Sequence, residues 1–214
     1  MTDQQPEAAA PVRQSVNDPD LGHLIALSLQ GDQAAYATLY ERYAPGLYRL
    51  AYSILLESQD AEDVLQESMV YAFRNLDRYD PLRGAFKTWL CTITISRCRN
   101  ARRRKWLPTV ALTHLLNFGI EPPAPDDEQP EVKAAWEQIR VALHEALRSL
   151  SPRLREAVAL RYGQGLTYRE MAEIMDCPQK TAESRVRLAH EQIRKVMNAN
   201  DATTIEALEE LWGV

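Results

Sequence analysis

The chain has few of the residues that build disulfide scaffolds, metal sites and phosphate-binding loops. Three cysteines and eight glycines occur among 214 residues. An odd, sparse set of cysteines fits a reducing compartment better than a disulfide framework. Cys91 and Cys98 lack metal-ligand spacing and are predicted to be core residues. The four histidines are scattered, with no cysteine or carboxylate set around them. We therefore predict a protein without cofactor, metal or catalytic activity.

Long apolar runs are absent as well. No stretch approaches the length of about 18 apolar residues that a membrane-spanning helix needs. Residues 1–15 lack the basic start and apolar core of a secretory signal, so we expect a cytoplasmic protein. No segment alternates apolar and polar residues as a half-buried strand does, whereas helical spacing of apolar residues is frequent. The predicted fold class is all-α, in two small helical domains.

Charge of both signs is abundant but unevenly distributed. The formal net charge is −5, which taken alone argues against nucleic acid as a partner. However, residues 74–105 hold ten bases against two acids, and residues 148–197 hold ten bases against six acids. Acidic segments flank and separate these two blocks. Such asymmetry favours nucleic-acid contact at the basic blocks, although two solvated basic faces have the same composition.

Composition divides the chain into five segments. The predicted segments are a disordered tail (1–19), a first helical domain (20–106), an acidic Pro-rich linker (107–131), a second helical domain (132–197) and a C-terminal extension (198–214). The apolar stripe of the extension either packs back on the second domain or binds a regulator.

Helix boundaries in the first domain follow from capping residues and breakers. Asp20, Asp32 and Asp60 are the predicted N-caps of the first three helices. Pro45 and Gly46 are expected to interrupt or bend the second helix. These signals predict a four-helix domain whose last helix runs into the first basic block.

Residues 166–195 contain the strongest local motif. Thr167 and Glu170 form a capping box that starts a short helix, which residues 176–178 end after about two turns. A longer basic helix begins near Gln179. A short helix, a tight turn and a longer basic helix make up a DNA-reading helix–turn–helix. An ordinary helical hairpin has the same spacing.

The longer helix of this motif has distinct faces when residues are placed at about 100° intervals. Its packed side holds Ala182, Val186, Ala189 and Ile193. Its far side, towards the major groove, holds Lys180, Thr181, Ser184 and Leu188. Arg185 and Arg187 lie on the flanks, where DNA phosphates would be. Glu183 falls nearer the packed side, where we expect it to pair with the first helix of the motif.

The fourth helix of the first domain interleaves aromatic rings with cations. Phe86, Trp89 and Trp106 accompany Lys87 and six later bases. Aromatic rings stack on unpaired bases and cations hold the backbone, so this pattern suits single-stranded or melted nucleic acid. The ring of Trp89 is equally compatible with a core role.

Four segments resemble bacterial sigma factors of the extracytoplasmic-function group in the sigma-70 family. They are GDQAAYATLYERY (31–43), DAEDVLQES (60–68), FKTWLCTITISRCRNARRRK (86–105), and LSPRLREAVALRYGQGLTYREMAEIM with TAESRVRLAHEQIRK (within 150–195). The resemblance implies a promoter-specificity subunit with three partners: core RNA polymerase, promoter DNA and an anti-sigma factor. Ser96 and Asn100 depart from the family pattern, as does the recognition helix, so the promoter sequence does not follow from the resemblance.

The resemblance also implies three functional surfaces. Core polymerase would dock on an acidic-polar stripe of the third helix, which the residues alone indicate only as a solvated face: Glu62, Asp63, Gln66 and Glu67. The −10 element would be recognised and melted by Phe86, Lys87, Trp89, Arg97, Arg99, Asn100, Arg102, Arg103 and Arg104. The −35 element would be read by Arg169, Lys180, Thr181, Ser184, Arg185, Arg187 and Leu188.

Two other functions remain open from the sequence. The first is a stand-alone helix–turn–helix regulator that binds an operator as a dimer, which would not need the acidic stripe. The second is an RNA-binding module that uses residues 97–105, which would not need the second domain. The acidic segments further suggest that the basic surfaces of the free chain bind DNA weakly until polymerase sets them apart.

Overall fold

The computed structural model describes residues 19–106 and 141–198, in which every regular element is helical. The first part contains α1 (Pro19–Leu29), α2 (Gln33–Leu55), α3 (Ser58–Arg74), a 3-10 turn (Leu76–Arg78) and α4 (Phe86–Trp106). The second part contains α5 (helical over 141–149), α6 (Pro152–Val158), a π-helical turn (Ala159–Gly163), α7 (Tyr168–Met175) and α8 (Gln179–Asn198). The predicted all-α class is confirmed.

Side-chain caps fix the starts of two helices as the sequence predicts. At α2, the Asp32 carboxylate accepts a hydrogen bond from the Ala35 amide at 3.0 Å. At α7, the Glu170 amide donates to the Thr167 hydroxyl at 3.3 Å, and the Thr167 amide donates to the Glu170 carboxylate at 2.8 Å. This reciprocal pair satisfies amides that have no partner within the helix. The capping box therefore places the start of the helix–turn–helix.

Two expectations about N-caps are wrong. Helix α3 begins at Ser58, after Glu57, whose side chain makes no capping hydrogen bond. Asp60 lies in the first turn, where its carboxylate interacts favourably with the positive end of the helix dipole. Asp20 likewise lies in the first turn of α1, which begins at Pro19. An acidic residue is favourable both at the N-cap and in the first turn of a helix, so the sequence alone does not distinguish these two positions.

Pro45 does not interrupt α2, which is continuous over 23 residues. A proline inside a helix leaves the carbonyl four residues earlier without its usual donor. The carbonyl group concerned is that of Glu41. Both Glu41 and Pro45 are exposed, so this carbonyl group lies on the solvent side of the helix. The long helix therefore keeps its packed face on both sides of the proline.

One hydrophobic core extends through both described parts. Helices α2, α3 and α4 pack on one another, and α6 and α7 pack on α8. Helix α2 also contacts α6 and the π-helical turn, and α4 contacts α7. The shared core includes Leu39, Leu47, Leu90, Leu160, Leu166 and Met171. A smaller cluster within the second part contains Ala146, Leu150, Val158, Ala189 and Ile193. The two predicted domains thus meet along a packed surface, called the seam below.

Several predicted segments lie outside the described residues. They are the tail up to residue 18, the linker, the beginning of the second domain and the extension from residue 199. Within the described part, no helix is both long enough and apolar enough to cross a bilayer.

Candidate nucleic-acid and polymerase interfaces

The aromatic residues at the start of α4 belong largely to the core. Phe86 is 1% exposed, and its ring meets the rings of Tyr43 and Tyr79 edge-on at centroid distances of 5.3 and 4.9 Å. The expectation that Phe86 stacks on a base is therefore wrong for this conformation. Trp89 is half-buried, with its ring 5.6 Å from that of Tyr79 and 5.5 Å from that of Phe86.

The first cation of α4 is engaged at the seam. The Lys87 ammonium donates to the backbone carbonyl of Gln164 at 2.7 Å. The side chain of Gln164 is itself buried; its amide nitrogen donates to the Gly46 carbonyl at 2.8 Å, and its oxygen lies 3.9 Å from the Cys91 sulfur. Gln164 thus fastens the π-helical turn to both α2 and α4. Local spacing in the sequence does not reveal this residue, because its partners come from distant helices.

Arg99 of α4 forms the strongest polar contact across the seam. Its guanidinium donates two hydrogen bonds to the Glu156 carboxylate, at 2.7 and 3.2 Å. These hydrogen bonds raise the pKa of Arg99. Glu156 is 1% exposed, and a buried carboxylate is costly unless it is paired. The one signal in the sequence was a lone acid that opens an apolar run, EAVAL (156–160).

The later cations of α4 are also partly engaged. The Arg97 guanidinium lies 4.8 Å above the Tyr71 ring of α3. Arg104 pairs with Glu67 of α3 at 3.1 Å, and both side chains are substantially exposed. The other predicted −10 residues lie half-buried or exposed on the same helix: Asn100, Arg102 and Arg103. Arg97, Asn100 and Arg104, spaced three and four residues apart, form one strip along the side of α4 next to α3, whereas Lys87 and Arg99 face the seam.

The acidic-polar stripe of α3 faces outward beside this strip. Asp63 and Gln66 are exposed, while Glu62 and Glu67 are half-buried. Val70, one turn further along, adds an exposed apolar side chain. Since the opposite side of α3 supplies core residues, the stripe is the outer face of a packed helix, and its Glu67 is paired with Arg104 of α4.

Helix α8 presents the faces that its sequence predicts. Its packed side is buried, through Ala182, Val186, Ala189 and Ile193. On the far side Lys180 and Leu188 are exposed, and Thr181 and Ser184 are half-buried. Glu183 accepts a hydrogen bond from Gln179 of its own helix at 3.0 Å instead of pairing with α7.

The arginines around α8 are held by short-range contacts. Arg187 pairs with Glu191 at 2.6 Å along the same helix. Arg185 is half-buried, and its guanidinium lies 3.6 Å from the Cys177 sulfur. Arg169 is exposed on α7. None of these contacts crosses the seam.

Cys91 and Cys98 lie in the core, as the sequence predicts. Burial raises the pKa of both thiols to about 12. They remain protonated and unreactive at neutral pH, since the thiolate is the nucleophile and the metal ligand. No group of side chains within the described residues is arranged to hold a metal ion.

Comparisons with known proteins agree with this architecture. The family model for sigma-70 region 2 matches residues 39–107, and the model for sigma-70 region 4 matches residues 140–193. The first match covers the α2–α4 bundle with the α3 stripe and the α4 strip. The second covers the helix–turn–helix.

Two curated relatives extend over most of the chain. The RNA polymerase sigma-H factor of Pseudomonas aeruginosa is 33% identical over 174 residues, which are 78% of this chain and 89% of the relative. The ECF RNA polymerase sigma-E factor of Escherichia coli K12 is 35% identical over 170 residues, which are 77% and 87%. Both alignments span the two helical parts.

Solved structures show the same fold. CnrH, in complex with the cytosolic domain of CnrY, aligns with a TM-score of 0.61 and 24% identity over 86% of this chain and all of that chain. The sigma factor RpoE of Bartonella quintana, in complex with the anti-sigma factor NepR, aligns with a TM-score of 0.59 and 21% identity, over 78% and 98%. On the sequence matches, the chain belongs to the sigma-70 family of RNA polymerase sigma factors, in its extracytoplasmic-function group.

Proposed function

We propose that this chain is a promoter-specificity subunit that binds core RNA polymerase and directs it to promoters with defined −35 and −10 elements. The observation that carries the proposal is that the chain has two basic helices, one in each family match. Helix α4 lies in the match to region 2, and most of α8 lies in the match to region 4. Helix α4 suits melted DNA, and α8 suits the major groove of a duplex. In this proposal catalysis belongs to the polymerase, and the subunit acts with it in the cytoplasm.

Core polymerase docks on the outer face of α3. The residues assigned to this contact are Glu62, Asp63, Gln66 and Glu67. Two exposed polar side chains and an adjacent exposed Val70 give this face both charge and an apolar anchor. Interfaces of this kind draw specificity from the charges and binding energy from the buried centre.

The −10 element binds along α4, through Lys87, Trp89, Arg97, Arg99, Asn100, Arg102, Arg103 and Arg104. Phe86 is left out because its ring is buried. The −35 element binds α8 and the first turn of α7. The residues assigned to this contact are Arg169, Lys180, Thr181, Ser184, Arg185, Arg187 and Leu188.

The closed seam limits DNA binding by the free chain. Lys87 and Arg99 both belong to the −10 set, and their charged groups donate hydrogen bonds to Gln164 and Glu156. A phosphate cannot take the same donors until these contacts open. Docking on polymerase therefore has to separate the two parts before α4 can hold the −10 strand.

An anti-sigma factor is the second protein partner that we propose. Two of the solved structures that share this fold are two-protein complexes: CnrH with the cytosolic domain of CnrY, and the sigma factor RpoE with the anti-sigma factor NepR. A partner that holds the seam closed would keep α4 occupied and prevent transcription.

Reconstitution with purified core polymerase tests the proposed function. The full chain is expected to bind core polymerase in a pull-down and to support run-off transcription from a cognate promoter. The double variant Asp63→Arg with Glu67→Arg is expected to lose polymerase binding at least about ten-fold, because it reverses two charges at the docking face.

A matched control is Asp77→Arg with Glu57→Arg, which reverses two exposed acids away from the stripe. This control is expected to bind normally. Intact binding by the stripe variant would show that the docking face is elsewhere. Failure of the unmodified chain to bind polymerase, combined with tight binding to duplex DNA as a dimer, would favour the operator-binding regulator instead.

A further inference from the structure

Leu188 is an exposed apolar residue in the middle of the groove-facing side of α8. It is 44% exposed, whereas the other large apolar residues of α7 and the first half of α8 are buried: Met171, Ile174, Met175 and Val186. Leu188 follows Lys180 and Ser184 at intervals of four residues, so the three side chains form one line along the helix. This line lies opposite the packed residues of α8.

The two arginines beside this line are held by other contacts. Arg187 is paired with Glu191 at 2.6 Å, and Arg185 is turned towards the Cys177 sulfur at 3.6 Å. Both are suited to phosphates on the flanks of the helix. The base-facing line itself therefore offers an ammonium group, a hydroxyl group and then an isobutyl group.

From these observations we infer that Leu188 is a specificity-determining residue that reads the 5-methyl group of a thymine in the −35 element. The inference rests on the proposed function, since it assumes that α8 enters the major groove of promoter DNA. Thymine is the one base whose major-groove edge presents an apolar group; the other edges present hydrogen-bond donors or acceptors. A leucine packed against those edges would leave their polar atoms desolvated and unpaired.

The helix geometry gives the register of this thymine. Lys180 and Leu188 are eight residues apart, which corresponds to about 12 Å of helix rise. Successive bases along one strand are about 3.4 Å apart, so this distance spans between three and four base steps. Lysine pairs with guanine O6 and N7. We therefore expect a guanine and a thymine separated by three or four steps in the preferred −35 sequence.

Deoxyuridine substitution tests the methyl contact directly. Holoenzyme assembled from core polymerase and the full chain is used to select promoters from a duplex library randomised over the −35 region. Each thymine of a selected promoter is then replaced by deoxyuridine, which lacks only the 5-methyl group. We expect one position at which binding weakens about four-fold, the effect of removing one buried methyl group.

The variant Leu188→Ala completes a double-mutant cycle. It is expected to weaken binding to the thymine promoter about four-fold or more and to abolish the difference between thymine and deoxyuridine at that position. Alanine favours helix at an exposed site, so the fold is retained. The control Val141→Ala, at an exposed apolar position of α5, is expected to keep both the affinity and the thymine preference.

The outcomes separate this inference from the proposed function. Holoenzyme that selects a −35 sequence but is insensitive to deoxyuridine at every position overturns the role of Leu188. So does a Leu188→Ala variant that still distinguishes thymine from deoxyuridine, or one that loses affinity equally for all −35 sequences. Holoenzyme that selects no −35 sequence at all instead refutes the proposed function.

Discussion

The two basic helices differ in what their cations contact. In α4, Lys87 and Arg99 donate to Gln164 and Glu156 across the seam, and Arg104 donates to Glu67. In α8, by contrast, the ion pair of Arg187 stays within the helix, and Lys180 is exposed. Two cations of the surface proposed for melted DNA are thus engaged across the seam in the closed chain, while among the described residues no cation of the surface proposed for duplex DNA forms a hydrogen bond or ion pair across it.

This difference fits the order in which the two DNA elements become available. The −35 element is a duplex that can be bound at once, whereas the −10 strand exists only after melting. A chain that keeps α4 engaged until polymerase opens the seam avoids binding single-stranded nucleic acid elsewhere. The acidic net charge of the whole chain acts in the same direction, since it weakens non-specific attraction to DNA.

The largest expected effect comes from removing the cations at the end of α4. Holoenzyme with Arg102, Arg103 and Arg104 replaced by alanine should bind −10 single strand about a hundred-fold more weakly. The slope of log affinity against log salt concentration should also become less steep by about two, because each phosphate contact on a single strand contributes about 0.7 to that slope. Fluorescence anisotropy over a salt series measures both quantities.

The −35 duplex supplies the control for this variant. Its affinity for the chain should change little, because α8 is untouched. An unchanged salt slope on the −10 strand would remove these three arginines from the proposed −10 surface.

A smaller, opposite effect is expected from opening the seam. Glu156→Ala removes the acceptor of Arg99, and since Arg99 is partly exposed, the loss to the closed state is about 1–2 kcal/mol. The free chain should then bind −10 single strand roughly ten-fold more tightly, with little change in −35 duplex binding.

Glu156→Gln is the matched variant, because it keeps the shape and one acceptor oxygen, and it should give an intermediate gain. Asp20→Ala, which breaks an exposed pair with Arg42 away from the seam, should give none. Equal gains on both DNA elements would show that the seam does not act on α4 alone.

Opening the seam should also change the reactivity of a buried thiol. Because burial raises the pKa of Cys91 to about 12, its thiolate is scarce in the closed chain at every pH below that value. Exposure lowers the pKa towards its ordinary value, so alkylation at pH 8 should be faster in Glu156→Ala than in the unmodified chain. Mass spectrometry of Cys91 gives the rate, and equal rates would contradict the opening.

The smallest expected effect concerns α8. Glu191→Gln frees Arg187 from an exposed pair within one helix, and such pairs contribute about 0.3–0.5 kcal/mol. Affinity for the −35 duplex should rise about two-fold, a change that titration at low salt can resolve. Glu183→Gln removes the same charge without freeing an arginine, so it should have a lesser effect. A loss of affinity in Glu191→Gln would contradict the phosphate role of Arg187.

The sequence predicts local features of this molecule better than its tertiary contacts. The capping box at Thr167, the cap at Asp32 and the faces of α8 depend on neighbours within four residues, so spacing alone identifies them. The seam depends on Gln164 and Glu156, polar residues that are buried only because distant helices meet there. The buried ring of Phe86 has the same cause, since its partners Tyr43 and Tyr79 come from other elements.

The distance between the two parts of the chain reports whether the seam opens when core polymerase binds. Spin labels at Ser58→Cys in α3 and Lys195→Cys in α8, with Cys177→Ser, leave only the two buried native cysteines. Pulsed dipolar spectroscopy should give one distance in the free chain and a clearly longer distance in the complex with core polymerase. The same distance in both states would contradict the account, because α4 would then remain occupied when it has to hold the −10 strand.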